Sequence, residues 1–335
     1  MRILKAMPIL TTILAAAFCT AARGAEPVKI RMSYVVPVVN WAPMIVAKQD
    51  LAKHWGKSYV LEAIRFQGTP PMITALASNE LEIADLAYAT IGLAIQNAGI
   101  DDLRVIADEF QDGAPGYFSN QFIVRKDGGV EKIEDLKGKV LAVNAIGSGL
   151  DIAMRAALKK HGLEDKRDYT VIEAPFPAMA ALLHEKKADM VAAVMPFALS
   201  PVFKQEGKVL FDQTAGLGRS QFSNLTARKA FIEKNRAALV GFMEDVIRIE
   251  RWYLDPKNHD EVAKIASQML KVPPERLGWL FTKQDSYRDP DARPDLDALQ
   301  RNVNTTAELG FIKSAFDVRK YSDLTLIDEA LKRLK

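Results

Sequence analysis

The sequence predicts an α/β fold of two similar lobes, and three observations carry that prediction. From residue 28 onward, short apolar runs of strand type alternate with segments of helical periodicity. After Asn120 a second run of the same kind begins, and Ala75-Leu76 through Glu82-Ile83-Ala84 can be laid over Leu182-Leu183 through Asp189-Met190-Val191 without a gap. The tripeptide Phe118-Ser119-Asn120 precedes this second unit and recurs as Phe222-Ser223-Asn224 after it. Unless that recurrence is chance, the chain leaves one lobe at the first tripeptide and returns at the second. Two short polar crossings of this kind can absorb a closing rotation. The expected organisation is a leader at 1–24, a first lobe from 25–120 plus 223–335, and a second lobe from 121–222. Each lobe is a mixed, mainly parallel sheet flanked by helices, and a helical tail closes the chain.

Taken in order, Val28 to Tyr34 alternates and reads as a strand, followed by a loop through Pro37 to Trp41 and a helix over 42–55. Tyr59 to Phe66 is a second strand. Pro70-Pro71 stands at the tolerated end of a helix, and Asn79 stands where a helix end turns left-handed. Ile83 to Ala87 and Leu103 to Phe110 are strands, with Tyr88-Ala89-Thr90 and then a helix to about Ala98 between them. In the second unit Phe122 to Val124, Val140 to Val143, Tyr169 to Ala174 and Met190 to Val194 are strands, with helices from Leu150 to about His161 and from Met179 to Leu183. The remainder is helical: a long amphipathic stretch over 230–254, then 260–269, 274–281 and 296–309.

The first residues are not part of this pattern. Met1-Arg2-Ile3-Leu4-Lys5 is positive, Pro8 to Phe18 is apolar, and Thr20 to Ala25 is small. That is a secretory signal peptide, with Gly24 favoured as the last residue removed and Ala22 as the other small position. Lipid attachment at Cys19 is the alternative, and Phe18 before it fits that poorly. Removing 1–24 takes three of the 45 basic residues and none of the 42 acidic ones, which leaves 42 of each. It also takes the single cysteine, so the exported chain has neither disulfide nor thiol chemistry. No basic block interleaved with aromatics points to nucleic acid.

The segment around which the chain is organised runs from Val140 to Met154. A buried strand leads into Gly147-Ser148-Gly149, and apolar residues then fall at helical spacing: Leu150, Ala153, Met154, Ala157 and Leu158. Unpaired N–H groups in the first turn of that helix carry roughly half a positive charge and can hold a carboxylate, sulfonate or phosphate oxygen. The Ser148 hydroxyl can cap the helix or donate to a ligand. An ordinary strand-to-helix connection reads the same way when the segment is taken alone.

Several stretches resemble the periplasmic substrate-binding proteins of ABC importers, in the NMT1/THI5-like group that takes up nitrate, sulfonates, taurine and thiamine precursors. They are the Ile30 to Tyr34 strand with its Pro37 loop, Ala75-Leu76-Ala77-Ser78-Asn79-Glu80-Leu81-Glu82, Ile133-Glu134-Asp135-Leu136-Lys137-Gly138-Lys139-Val140, Ile146-Gly147-Ser148 opening a helix, and His161-Gly162-Leu163 at its end. The resemblance covers roughly residues 28 to 255. It implies a two-lobed type II binding-protein fold that closes on a small molecule, works with a permease in the inner membrane and acts as a monomer in the periplasm. By position it implies ligand contacts from Ser33, Val36 and Trp41, from Gly68 and Thr69, from Tyr88, Ala89 and Thr90, from Asn120, from Gly147, Ser148, Gly149 and Asp151, from Pro196 and Phe197, and from Asn224. The rule that ligands of open α/β sheets lie beyond strand carboxyl ends points to the same edge. The sequence departs from the pattern at Asn79 and Lys186, where glycine is usual, and at Asp151, where sulfonate binders often carry histidine. If Asp151 faced the cleft, it would favour an amine or hydroxyl over an anion.

For the chemistry of the cleft, Trp41, Tyr88, Tyr117 and Phe197 are candidate walls, with core packing as the alternative. The histidines, His54, His161, His184 and His259, have no metal-site spacing, and neither a Gly-x-Ser-x-Gly elbow nor a Walker phosphate loop is present. The expected activity is therefore capture of a small organic carboxylate, sulfonate or zwitterion, with no cofactor and no metal. An enzyme of lyase or synthase type on the same bilobed fold, and the ligand-binding subunit of a sensory system, are the competing readings.

Overall fold

A computed structural model describes residues 26–280 and 282–335. The expected leader, with Cys19 and the cleavage position, lies outside the described residues. In the first lobe β1 (Val28–Tyr34), α1 (Trp41–Ala47), β2 (Tyr59–Arg65), α2 (Pro70–Ala77), β3 (Ile83–Ala87), α3 (Tyr88–Gln96) and β4 (Leu103–Asp112) follow one another. In the second come β5 (Gln121–Arg125), β6 (Lys139–Val143), α4 (Gly149–Lys160), β7 (Tyr169–Glu173), α5 (Met179–His184), β8 (Met190–Ala193), α6 (Pro201–Glu206), β9 (Gly207–Asp212) and α7 (Thr214–Leu217). The chain then re-enters the first lobe as β10 (Ser220–Arg228) and ends in α8 (Lys229–Lys234), α9 (Arg236–Leu254), α10 (His259–Leu270), α11 (Leu296–Glu308) and α12 (Thr325–Arg333).

The two sheets share one plan. Their orders are β2-β1-β3-β10-β4 and β7-β6-β8-β5-β9. In each, one strand runs against the rest: β10 pairs antiparallel with β3 and β4, and β5 with β8 and β9. These two are the first strands after each crossing between lobes. The remaining strands are joined through helices that cover the sheet faces, so β3 is buried along its whole length. The internal repeat has a physical counterpart. Asn79 and Lys186, at matching positions, both take a left-handed backbone, with φ of 56° and 58°, and both turn a helix end into a strand.

The helical readings need correction in places. The first helix stops at Ala47, because Leu51 and Ala52 donate to carbonyls three residues back and wind a tighter turn. The 230–254 stretch is two helices broken at Asn235, whose side chain bonds the Phe231 carbonyl. Pro274–Leu277 is only a short 3₁₀ turn, and Phe281 is outside the described residues. Phe222-Ser223-Asn224 belongs to β10 and not to a loose crossing. The helical tail packs on the first lobe, with Leu239, Phe242, Met243 and Val246 of α9 in one core with Ile30, Met32 and Met44. No helix among the described residues is long and apolar enough to cross a membrane.

Candidate functional site

A cavity lies between the lobes, beyond the carboxyl ends of β1, β3 and β6. Its walls are mostly apolar. Phe110 and Phe222 stack with centroids 5.1 Å apart, and Val36, Val39, Phe176, Val194 and Met195 complete the lining. Polar groups converge from every part of the fold: Asn40, Thr69, Asp85 and Ser223 from the first lobe, Asn120 from the crossing, Asn144, Ser148 and Gly149 from the second lobe, and Ser286 from the tail. A mainly apolar cavity with a few aimed polar groups is the usual form of a small-molecule site.

On the second-lobe side the chain makes the expected turn. Gly147 has φ of 80°, a conformation that disfavours a side chain. Ser148 is the helix cap, with its Oγ accepting from the Asp151 N–H at 3.4 Å and donating to Asn144 Oδ1 at 3.1 Å. Asp151 does not reach the cavity. Its carboxylate takes the Gly147 N–H at 2.8 Å and the Arg155 Nε at 2.7 Å, and Arg155 Nη1 lies 2.6 Å from Asp165. Burial pushes the Asp151 carboxyl up, and Arg155 and the Gly147 N–H oppose that. Part of the turn's positive potential is thus spent within the chain. The N–H groups of Gly149 and Leu150, whose residues line the cavity, are first-turn donors without intrahelical partners.

On the first-lobe side, Asp85 projects from the middle of β3. Asn40 Nδ2 donates to its Oδ2 at 2.7 Å, the Ser223 hydroxyl donates to its Oδ1, and its own N–H donates to Ser33 Oγ at 2.9 Å. Burial pushes the Asp85 carboxyl up to about 7, and the Ser223 hydrogen bond opposes this. Asn40 Oδ1 also accepts the N–H groups of Val35 and Val36, which shapes the loop above the cavity. Behind this wall, Glu109 accepts the Trp41 N–H at 2.5 Å. Arg288 is buried there, its Nη1 3.1 Å from Asp285, its Nη2 donating to the Val39 carbonyl, and its guanidinium 5.3 Å from the rings of both Trp41 and Tyr253.

The lobes touch at the rim. Tyr88 Oη donates to the Gly149 carbonyl at 2.5 Å, Gln67 Nε2 to the Asn144 carbonyl at 3.1 Å, and Asn144 Nδ2 to the Gln67 carbonyl at 3.3 Å. The crossings are tied to each other: Gln213 N–H donates to the Asn120 carbonyl at 2.8 Å, and the Asp112 carboxylate accepts from Ser119 and from the Asn120 N–H.

Of the residues expected from the sequence, Val36, Thr69, Asn120, Ser148 and Gly149 line the cavity. Gly68, Tyr88 and Gly147 stand where the lobes meet. Thr90 is buried and hydrogen-bonds the Thr69 hydroxyl at 2.6 Å, and Ala89 lies in the core behind it. Besides Asp151, three expectations are corrected. Ser33 is enclosed, donating to Met72 Sδ and accepting from Asp85. Trp41 packs edge-on against Tyr253 in the first-lobe core. Asn224 is sealed within the sheet against the Leu86 carbonyl. Pro196 and Phe197 line outer grooves next to the cavity, where Phe197 stacks on Phe176, and Tyr117 meets Tyr287 at the surface. The sequence reading missed Asn40, Asp85, Asn144 and Ser223. A charged residue inside the otherwise apolar run Ile83 to Ala87 was the signal available for Asp85. Among the described residues no group of three or more His, Cys, Asp or Glu could hold a metal ion.

Residues 23–267 match the profile of the NMT1-like family. A Bacillus subtilis (strain 168) protein named for binding aliphatic sulfonates is 24% identical over 299 residues, which span 87% of this chain and 85% of that one. The periplasmic nitrate-binding protein NrtA from Synechocystis PCC 6803 superposes with a TM-score of 0.70 at 16% identity, covering 92% of this chain and 90% of the other. The desulfurization enzyme DSZB superposes with a TM-score of 0.66 at 14% identity, over 92% of this chain and 100% of the enzyme. The fold is therefore shared by binders and by a catalyst, and the site has to separate them.

Proposed function

The chain belongs to the NMT1-like family, and from that premise we propose that it is the solute-binding subunit of an ABC importer, exported to the periplasm by its N-terminal leader. The observation that carries the reading is the cavity enclosed by both lobes, with an apolar body and polar groups converging from each side. A small organic molecule enters between the parted lobes and is covered when they meet. Val36, Thr69, Asn120, Ser148 and Gly149 contact it, and Asn40, Asp85 and Asn144 join them. The lobe built on β1 to β4, β10 and the helical tail forms one closing body, and the lobe built on β5 to β9 the other. An acidic group on the solute is held at the first turn of α4, where the Gly149 and Leu150 N–H groups point. Closure follows only from the solute's preference for the closed state. The closed form then docks as a monomer on a permease.

The second reading, an enzyme, has DSZB in its favour. Against it, among the described residues the lining contains one ionisable side chain, Asp85, and neither cysteine nor histidine. Native mass spectrometry of gently purified protein tests the proposal. A bound small molecule that is released unchanged and rebinds with a defined stoichiometry is expected. Conversion of that molecule during incubation would establish the enzyme instead.

A further inference from the structure

Resting on the reading of the interlobe cavity as a solute site, we infer that the solute carries an ammonium group, set against the Asp85 carboxylate on the first-lobe side of the cavity. Asp85 is 1% exposed and is the one ionisable residue of the lining. Both of its hydrogen-bonding partners, Asn40 and Ser223, are neutral donors. A neutral acceptor would satisfy them at a lower desolvation cost, so the charge itself has no use inside the protein. A carboxylate has about four lone-pair positions and these donors occupy two of them, which leaves capacity for a third.

Among the described residues, nothing in the surrounding elements supplies the missing cation. Ser33 on β1 and Ser223 on β10 are neutral, and Glu109 on β4 and Glu250 on α9 have the same sign as Asp85. The nearby cation is Arg288. It is committed to Asp285, to the Val39 carbonyl and to the faces of Trp41 and Tyr253. Buried carboxylates otherwise go unpaired only by taking up a proton, and the Asp85 carboxyl is pushed up by its burial. An ammonium entering the cavity supplies the counter-charge and the third donor together. The arrangement discriminates against a simple anion, which would meet a like charge and no side-chain cation. The feature that the sequence suggested for Asp151 thus belongs to Asp85.

The test uses isosteric pairs that differ only in a terminal ammonium or methyl: 2-aminoethanesulfonate against propane-1-sulfonate, 3-aminopropanoate against butanoate, and longer and aromatic homologues of each. Calorimetric titration of the processed protein at neutral pH should show the amino member binding about tenfold or more tightly. In Asp85→Asn the preference should shrink to about threefold or less. Equal or tighter binding of the methyl members overturns the inference and leaves the solute-binding reading standing. So does a preference that survives in a folded Asp85→Asn protein. If that variant does not fold, the wild-type ratio alone decides. If no member of any pair binds, the solute-binding reading falls, and the inference with it.

Discussion

Gly68→Ala should weaken solute binding without harming the fold. A Cβ built on Gly68 would sit 2.8 Å from Ala145 Cβ and 2.8 Å from Asn144 Nδ2, both across the cleft, where ordinary contact begins at 3.4 Å. The neighbours must therefore retreat by about 0.6 Å, and they are poorly placed to do so. Ala145 Cβ moves only with its backbone. Asn144 is held by Gln67 on one side and by Ser148 on the other. Overpacking of this kind costs on the order of 1–3 kcal/mol, which translates to roughly 5- to 150-fold in affinity if the cost falls wholly on the closed state. The parted lobes feel none of it. Gly68 has no left-handed backbone, so alanine adds no local strain there and restricts the unfolded chain slightly. The melting temperature without solute should then be unchanged or slightly raised, while titration with the co-purifying solute shows the loss and small-angle scattering shows a larger radius in its presence. Unchanged affinity together with an unchanged radius would refute the reasoning, because the two lobes would then not meet at Gly68 on binding.

Asp151→Asn should lower stability by about 1.5–3 kcal/mol, the cost of one buried charge-assisted hydrogen bond, because Arg155 loses its 2.7 Å contact and keeps Asp165. The ranking of solutes should not change, and calorimetry alongside chemical denaturation separates the two effects. Stability should also fall as pH rises from about 4 to about 7. Burial holds the Asp108 and Asp112 carboxyls up at about 7, so the folded chain keeps protons that the unfolded chain, with ordinary carboxyls, has already released. Their contribution is complete below the unfolded value and is lost through the folded one. Asp168, held down at about 2 first by Arg167, acts in the opposite sense and sets the decline at lower pH. Denaturation midpoints measured from about pH 2 to 8, with Asp108→Asn flattening the slope above pH 4 and Asp168→Asn flattening the decline below it, check both signs.

Much of the fold was legible because its signals are local. β1 and β3 have the bounds read from the sequence, since an apolar run between turn residues needs no knowledge of its partners. Pro70, Asn79 and Gly147 marked a helix start and two backbone turns for reasons of φ alone. What escaped is non-local. Ser220–Arg228 is too polar to read as a central strand, yet it is one. Its Thr226 hydroxyl bonds the Ala84 carbonyl, its Gln221 amide bonds Asp108, and its Ser223 bonds Asp85. These partners come from strands more than a hundred residues away, so each residue looks unsuited to burial until the other is placed beside it. The same pairing hid Asp85 and Asn40 from a reading by motif. Trp41 misled for the converse reason: an aromatic near a loop can point either to the cleft or to the core, and Tyr253 on α9 decides it.

The glycines of the α4 turn gain a second meaning from the structure. Read from the sequence, they open a helix onto an anion. In place, Gly149 is pressed so close to the first lobe that a Cβ would lie 3.0 Å from Phe222 and 3.1 Å from Ala87, and one on Gly147 would lie 3.2 Å from Leu93. The missing side chains let the lobes approach until Tyr88 reaches the Gly149 carbonyl. That bond and the two between Gln67 and Asn144 are worth about 1 kcal/mol each at most once their hydration is replaced. On the closing motion proposed above, a latch of about 3 kcal/mol is small enough for a solute's own preference to decide between open and closed forms. A solute then needs only a few kcal/mol of preference to shift the population decisively. A stronger latch would shut the cavity empty, and bulkier residues at 147 and 149 would prevent it from shutting at all. The small residues of the turn thus serve the contact between the lobes as well as an anion, so glycine there is not by itself a sign of the ligand.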